Sequence, residues 1–392
     1  METKAMSMMR SRKFPFYGTL PLVYLLLAGS TLNTAVAFAP KAPSITTHHH
    51  IASISPSLRQ LSVQQAIETD TTEHDTSSAL QPPPRPTPKV QRHYETFLWK
   101  HEQNNYKINY RVEGPVAGPP ILLVHGFGAN VNHFRYNVPA LATAGYRVYA
   151  VDLLGFGASD KPKDETYCIE LYVALLRDFI QAMGSTKQWI VAGNSIGGLC
   201  CLSVADQSPE QVAGVVLFNC SGGMTGFRYG DVPLVARPIL YFVQKVILGP
   251  QLGGRFFGGF KSRENVESIL RQQRVYVDQT KVDDELLEIL LGPADDDGAE
   301  QVFLKTFAGL PGPTPESILP TVQCPILAVW GDSDPWTPVD SGMHPGNTFG
   351  NYNDKFTLEV VPGAGHCLHD ECPEMVHAKM LPWMERVLAE QG

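Results

Sequence analysis

No C-x-x-C pair occurs in this chain, and its seven cysteines are odd in number, so a zinc ribbon and a disulfide framework both lack support. Most of those cysteines sit in apolar runs and read as buried free thiols, which suits a reducing compartment. A G-x-G-x-x-G spacing and a Walker lysine are also missing, which removes the common nucleotide-phosphate cradles. Basic clusters interleaved with aromatics do not occur either. With a formal charge of −8 the chain repels a phosphate backbone, so nucleic acid is excluded as a partner. The early apolar run Leu20 to Ala28 contains Pro21 and is too short to read as a bilayer span.

Acids are scarce in one place. Residues 1–67 hold Lys4, Arg10, Arg12, Lys13, Lys41 and Arg59 against Glu2 alone. Arg10 to Lys13 form a positive n-region, Leu20 to Ala28 an h-region, and Ala35-Val36-Ala37 an A-x-A cleavage site, so 1–37 reads as a signal peptide. Residues 38–67 open with Phe38-Ala39-Pro40 and continue in the Ser/Thr-bearing, acid-poor composition of a transit peptide. His48-His49-His50 falls inside this disposable segment and is not read as a metal site. The whole arrangement resembles the bipartite presequences of algae with secondary plastids, which implies a plastid address; composition alone implies only secretion. Removing the 6 bases and 1 acid of this segment from 31 and 39 leaves 25 against 38, a formal charge of −13 on the remainder. Residues 68–91, ending in the proline run Pro82 to Pro88, read as an extended linker.

The apolar fraction of 43% is that of a globular protein. Phe97-Leu98-Trp99 and the alternation of Tyr106, Ile108, Tyr110 and Val112 predict two antiparallel strands. Strand and helix then alternate: strands at Ile121–Val124, Tyr146–Val151, Trp189–Ala192 and Val212–Phe218, helices at His133–Ala144 (with Leu141 inward), Ile169–Met183 and Ile196–Gln207. Two later strands, Pro325–Trp330 and Phe356–Val361, and a closing helix, Pro373–Glu390, complete a mainly parallel eight-stranded sheet covered on both faces. This is the pattern of an α/β-hydrolase core in two parts, 92–220 and 323–392. Between them, 221–322 loses the alternation and reads as a helical cap above the carboxyl ends of the strands. It contains the apolar run Val232–Leu248, a Gly/Phe-rich segment Gly253–Phe260, and amphipathic stretches Arg263–Arg274 and Val282–Leu291.

Gly193-Asn194-Ser195-Ile196-Gly197 fits G-x-S-x-G, in which a serine occupies a sharp turn between strand and helix. A serine nucleophile needs a base and a carboxylate that orients it, in the chain order Ser, Asp or Glu, His. Gly331-Asp332-Ser333-Asp334 and Gly363-Ala364-Gly365-His366 both follow strands and satisfy that order. Gly331 and Pro338 put Asp334 in register with G-x-x-D-x-x-x-P, leaving Asp332 to solvent or loop amides. His366 alone among His344, His366, His369 and His377 follows a strand and a glycine turn directly. The expected catalytic set is therefore Ser195, Asp334 and His366. The N–H of Ile196 and that of Phe127, in the loop His125-Gly126-Phe127-Gly128, are the expected oxyanion donors. His125 reads as structural. His369-Asp370-Glu371 lacks metal-ligand periodicity and reads as solvated, and no metal or cofactor is expected.

From about His93 onward the chain resembles the plastid α/β-hydrolases that include chlorophyll dephytylase and pheophytinase. The resemblance rests on His125-Gly126-Phe127-Gly128-Ala129-Asn130, Gly193 to Gly198, Asp334-Pro335-Trp336, and Gly363 to Cys367 followed by His369-Asp370-Glu371. It implies hydrolysis of the phytyl ester of chlorophyll or pheophytin (chlorophyll catabolism in a chloroplast, with contact to a thylakoid surface open). A galactolipid or other acyl-lipid esterase, a cofactor-free haloperoxidase-type activity and a ligand receptor on the same fold are the alternatives; a carboxylate-nucleophile enzyme is opposed by Ser195. Substrate-contacting residues and oligomeric state are not assigned.

Overall fold

A computed structural model describes residues 89–185, 187–224, 241, 242, 249, 252–342 and 344–390. The two presequence segments, most of the linker and most of the run Val232–Leu248 lie outside the described residues.

Alternating residues open the fold: β1 (Glu95–His101) pairs antiparallel with β2 (Asn104–Glu113), with Phe97 opposite Ile108. Then come β3 (Pro120–Val124), α1 (Asn137–Thr143), β4 (Arg147–Val151) and α2 (Ile169–Met183). The centre is β5 (Trp189–Asn194), α3 (Ile196–Gln207) and β6 (Val212–Phe218). Helices α4 (Gly253–Phe260), α5 (Arg263–Gln272), α6 (Asp284–Leu291), α7 (Ala299–Ala308) and α8 (Pro315–Ile318) precede β7 (Ile326–Gly331). The chain closes with β8 (Phe356–Val361), α9 (Leu368–Glu371) and α10 (Pro373–Ala389).

The eight strands form one sheet in the order β1-β2-β4-β3-β5-β6-β7-β8, parallel from β4 onward. Its inner strands are buried on both faces, which is why they read as continuous apolar runs. The period of two sorts their side chains: Leu122, Val124, Val191 and Leu217 enter one core, while Ile121, Leu123, Ile190 and Val216 enter the other. Between β5 and β6 lies α3, whose first ten residues are all buried. All seven cysteines are free thiols, five of them buried.

One predicted helix is shorter than expected. Instead of a helix over His133–Ala144, a 3₁₀ turn spans Val131–Phe134 and α1 begins at Asn137. A helix started at His133 would place Pro139 in its interior, against the Arg135 carbonyl and without an N–H to donate; starting at Asn137 puts Pro139 in the first turn, where no N–H is needed. Gly253–Phe260 forms a helix despite four glycines that each cost about 1 kcal/mol in a helix interior. Phe257 anchors it against Phe303 and Phe307 of α7. The helix α7 carries its own apolar face, Val302, Phe303, Thr306 and Phe307, a pattern visible in the sequence but not singled out there.

Candidate active site

Where β5 ends at Asn194 and α3 begins at Ile196, Ser195 alone makes the turn, at φ 55° and ψ −120°. L-residues rarely adopt that conformation, and holding one there costs about 1–3 kcal/mol. Glycines make the bend sterically feasible: a Cβ on Gly193 would stand 2.3 Å from the Gly197 carbonyl, and one on Gly197 would stand 2.3 Å from the Val124 carbonyl oxygen. The strained residue is pinned on several sides. Its N–H donates to Phe218 O at 3.0 Å, and its carbonyl accepts from Gly198 N at 3.0 Å and Ser221 N at 3.2 Å.

The loops after β7 and β8 carry the next two groups. His366 Nδ1 lies 2.8 Å from Asp334 Oδ2, and both side chains are almost wholly buried. Asp334 is surrounded by donors: Oδ1 accepts from the N–H groups of Trp336 at 2.8 Å and Thr337 at 3.0 Å, and Oδ2 accepts from Thr337 Oγ1 at 2.6 Å and from Asn219 Nδ2. Burial alone would raise the Asp334 carboxyl. The facing imidazole and the Thr337 donors outweigh burial and hold it below the usual carboxylate range. A carboxylate accepts only, so Nδ1 of His366 carries the proton and Nε2 is the basic nitrogen. The Trp336 ring stands 4.9 Å from the imidazole and shields one side of it.

Ser195, His366, Phe127 and Ile196 all line one cavity of about 910 Å³, at the upper end of ligand-sized pockets. No hydrogen bond joins the Ser195 hydroxyl to the imidazole among the described residues, and such bonds often close only around a bound substrate. The backbone N–H groups of Phe127 and Ile196 likewise have no partner among the described residues. The N–H of Ile196 is the first of α3, at the positive end of the helix dipole, so an anion beside Ser195 is favoured there. Over the inserted helices the wall is mostly apolar, with Phe257, Phe260, Phe303, Phe307, Leu270 and Leu291, and polar side chains such as Glu316 and His344 interrupt it elsewhere. His366 N donates to Val275 O at 2.9 Å, so the insert also grips the histidine loop.

The other candidates fall away from the chemistry. Asp332 is exposed and accepts from Gly363 N at 2.8 Å and the Ser333 hydroxyl. His125 Nε2 accepts from Leu153 N at 3.0 Å and Nδ1 donates to Gly126 O at 2.7 Å, a structural pairing. His377 meets Asn137 at 3.2 Å.

The expectation that His369, Asp370 and Glu371 are solvated is corrected: all three are buried. Asp370 is held by Arg135 at 2.9 Å and by the Tyr276 hydroxyl at 3.0 Å, and Glu371 accepts the N–H groups of Gly365 and Asp278, both at 2.7 Å. The acids sit inside because Arg135 and partners on the insert and on the histidine loop satisfy them. His369 stacks on Phe218 and against His133, and burial pushes its imidazole well below the ordinary histidine range; burial beside Arg135 takes His133 down to about 3. Among the described residues no group of three His, Cys, Asp or Glu side chains is arranged to hold a metal ion.

Two asparagines to which the sequence reading gave no role organise the site. Asn219, at φ 46°, directly follows β6. Its amide donates to Asp334 Oδ2 and to Gly365 O at 3.1 Å, and its oxygen accepts Gly331 N at 3.0 Å, tying β6, β7 and the histidine loop together. Asn194 does the same one strand over, donating to Phe218 O at 3.2 Å and His366 O at 3.1 Å. The sequence signal was a polar residue closing each of two adjacent apolar strands.

Comparison with known proteins fits this geometry. A family profile described as alpha/beta hydrolase fold matches residues 119–373. A 2-hydroxy-6-oxononadienedioate/2-hydroxy-6-oxononatrienedioate hydrolase of Burkholderia vietnamiensis is 28% identical over 290 residues, covering 71% of this chain and 91% of that protein. Lipase 1 of Psychrobacter immobilis is 38% identical over 116 residues, 30% of this chain and 36% of the lipase. The acetyltransferase component of the acetoin cleaving system of Pseudomonas putida is 28% identical over 277 residues, 70% of this chain and 65% of that protein. The chain thus spans less than two thirds of the length of the last two. Among solved structures, a serine hydrolase involved in carbazole degradation superposes with a TM-score of 0.56 at 26% identity, covering 71% of this chain and 95% of that one.

Proposed function

Because the chain belongs to the α/β-hydrolase family, we propose that it is a serine ester hydrolase in which Ser195, Asp334 and His366 form the catalytic triad. The observation that carries this reading is a serine on a strained strand-to-helix turn, in one cavity with a histidine whose Nδ1–H is fixed by a buried carboxylate. In the reaction, Ser195 Oγ attacks the ester carbonyl carbon as its proton passes to His366 Nε2. The carbonyl oxygen becomes an oxyanion that takes hydrogen bonds from the N–H groups of Phe127 and Ile196; each such donor is worth about 2.7–4 kcal/mol in the transition state. Collapse breaks the ester C–O bond, the alcohol leaves with the proton from His366, and the acyl group stays on Ser195. Water then gives a proton to His366 and its oxygen to the acyl carbon, and Ser195 recovers its proton as the acid departs.

The substrate we favour is an apolar ester with a long isoprenoid alcohol, the phytyl ester of chlorophyll or pheophytin, met in a plastid. The phenylalanine-lined cavity supports it: each methylene removed from water contributes about 0.8 kcal/mol, so a long chain supplies much of the binding. The likeness of the amino-terminal segment to bipartite signal-plus-transit presequences supports the plastid address, where the pigment esters lie in a thylakoid surface. An acyl-lipid substrate is the second reading, supported by the likeness to Lipase 1 over the stretch they share. Incubating the protein with chlorophyll a, pheophytin a and a galactolipid side by side, with products identified by mass, tests both. Phytol release that a Ser195→Ala variant loses is the expected result. Release by both proteins rejects the triad, and fatty acid in place of phytol rejects the pigment.

A further inference from the structure

The cavity wall holds a second carboxylate-bound imidazole. His344 and Glu316 both line the cavity that contains Ser195, and His344 Nδ1 lies 2.9 and 2.7 Å from the two Glu316 oxygens. Since the carboxylate only accepts, Nδ1 carries the proton and Nε2 of the neutral ring presents a lone pair, with no partner among the described residues. His344 has φ 52°, a conformation rare for a residue with a side chain. Its ring lies over the backbone of Gly222, where a Cβ would come within 2.1 Å of His344 Cδ2. Gly222 follows Ser221, whose N–H donates to the Ser195 carbonyl, so the pair borders the turn that carries the serine.

We propose that His344, oriented by Glu316, is a substrate-binding residue that accepts a hydrogen bond from a hydroxyl group of the ester. This rests on the ester-hydrolase reading and sharpens its second substrate: a partial acylglycerol offers an O–H donor near the reacting carbonyl as well as an apolar chain, a phytyl ester offers none, and a hydroxyl preference therefore weighs for the acyl lipid over the pigment. The chain packs among phenylalanines such as Phe303 and Phe307 while the hydroxyl meets Nε2. An ester without that hydroxyl leaves a lone pair desolvated and unmatched, and a site built to bond a substrate hydroxyl discriminates through that loss.

The test compares 1-decanoylglycerol with its di-O-methyl ether as substrates of the full chain, in wild type, His344→Phe and Glu316→Gln. Wild type is expected to favour the free diol by about ten-fold in kcat/KM, mainly through KM. His344→Phe brings that ratio to about one, and Glu316→Gln gives an intermediate ratio, because the imidazole loses its fixed tautomer. The ratio is internal to each protein, so partial loss of folded material does not affect it. No preference in wild type, or an undiminished preference in His344→Phe, overturns the proposal. A second arm needs no catalysis: calorimetry of 1-O-decylglycerol and its di-O-methyl ether with Ser195→Ala, with and without His344→Phe. If wild type cleaves neither ester, the acyl-lipid reading fails by itself, and equal affinity of Ser195→Ala for the two ethers then overturns the hydroxyl site.

Discussion

Changing Asp334 to Asn removes a charge while keeping the shape of the side chain. Five donors converge on the carboxylate: the backbone amides of Trp336 and Thr337, the Thr337 hydroxyl, Asn219 Nδ2 and His366 Nδ1. An amide nitrogen cannot accept, so whichever side it takes, donors face donors. On the inner side the imidazole relieves the clash by moving its proton to Nε2 and accepting from the amide through Nδ1, and a ring in that tautomer has no lone pair left for the proton of Ser195. The corresponding change in a serine-protease triad lowers kcat about 10⁴-fold, equivalent to roughly 5.4 kcal/mol in the barrier. The same order is expected here. Asp332→Asn, two residues away, is the control, because among the described residues the Asp332 carboxylate accepts only from Gly363 N and the Ser333 hydroxyl; it should stay within about three-fold of wild type. Initial rates on p-nitrophenyl butyrate, with circular dichroism to verify folding, decide the matter. A folded Asp334→Asn protein within ten-fold of wild type, or a larger loss in Asp332→Asn, would refute the assignment of the orienting carboxylate.

The same carboxylate has a thermodynamic signature. Asp334 is held below its ordinary value, so the folded state binds its proton less readily than the unfolded state. Its contribution to stability is therefore complete above the unfolded value of about 3.9 and is lost as pH falls through the depressed folded value. Urea unfolding from roughly pH 5 downwards should show a shallower acid decline in Asp334→Asn than in wild type, and parallel declines would contradict the coupling. Ser195→Gly should abolish hydrolysis yet raise stability by about 1 kcal/mol in urea unfolding, because glycine occupies φ 55° without strain; a loss of stability would count against the strained turn. Gly197→Ala should cost about 3 kcal/mol or more, since its Cβ meets the Val124 carbonyl oxygen at 2.3 Å and neither backbone can retreat; a change below 1 kcal/mol in the urea midpoint would mean that the turn yields.

The sheet was legible because its signal is local. Strands that are buried on both faces must be apolar throughout, so Ile121–Val124 and Val212–Phe218 announce themselves, and the helix Ile169–Met183 carries its own periodicity, whereas Ile196–Gln207 is buried all round and is marked by the glycine turn before it. The residues that meet in the cavity were legible for a related reason: a chain that leaves a strand and turns sharply needs glycine, so Gly193, Gly331 and Gly365 flag the ends of β5, β7 and β8. What stayed hidden depends on partners distant in sequence. Nothing near Asp370 or Glu371 indicates that Arg135, Tyr276 and the Asp278 amide will accompany them inside, and acids in a loop ordinarily face water.

Asn219 is the more telling case. Asn219-Cys220-Ser221, which follows β6, holds no carboxylate, and from sequence a neutral amide has no obvious place in a charge-orienting role. Its value lies in being neutral. A carboxylate there would set a second negative charge against Asp334 Oδ2, raising one of the two and freeing the imidazole, whereas an amide offers one acceptor to Gly331 and donors to Asp334 and Gly365. The ends of β6, β7 and the histidine loop are thus joined by one side chain that satisfies all three. An acid after β7 is compatible with this junction because the residue after β6 is a neutral amide, and Asn219 is thereby part of how Asp334 is held beside the imidazole of His366.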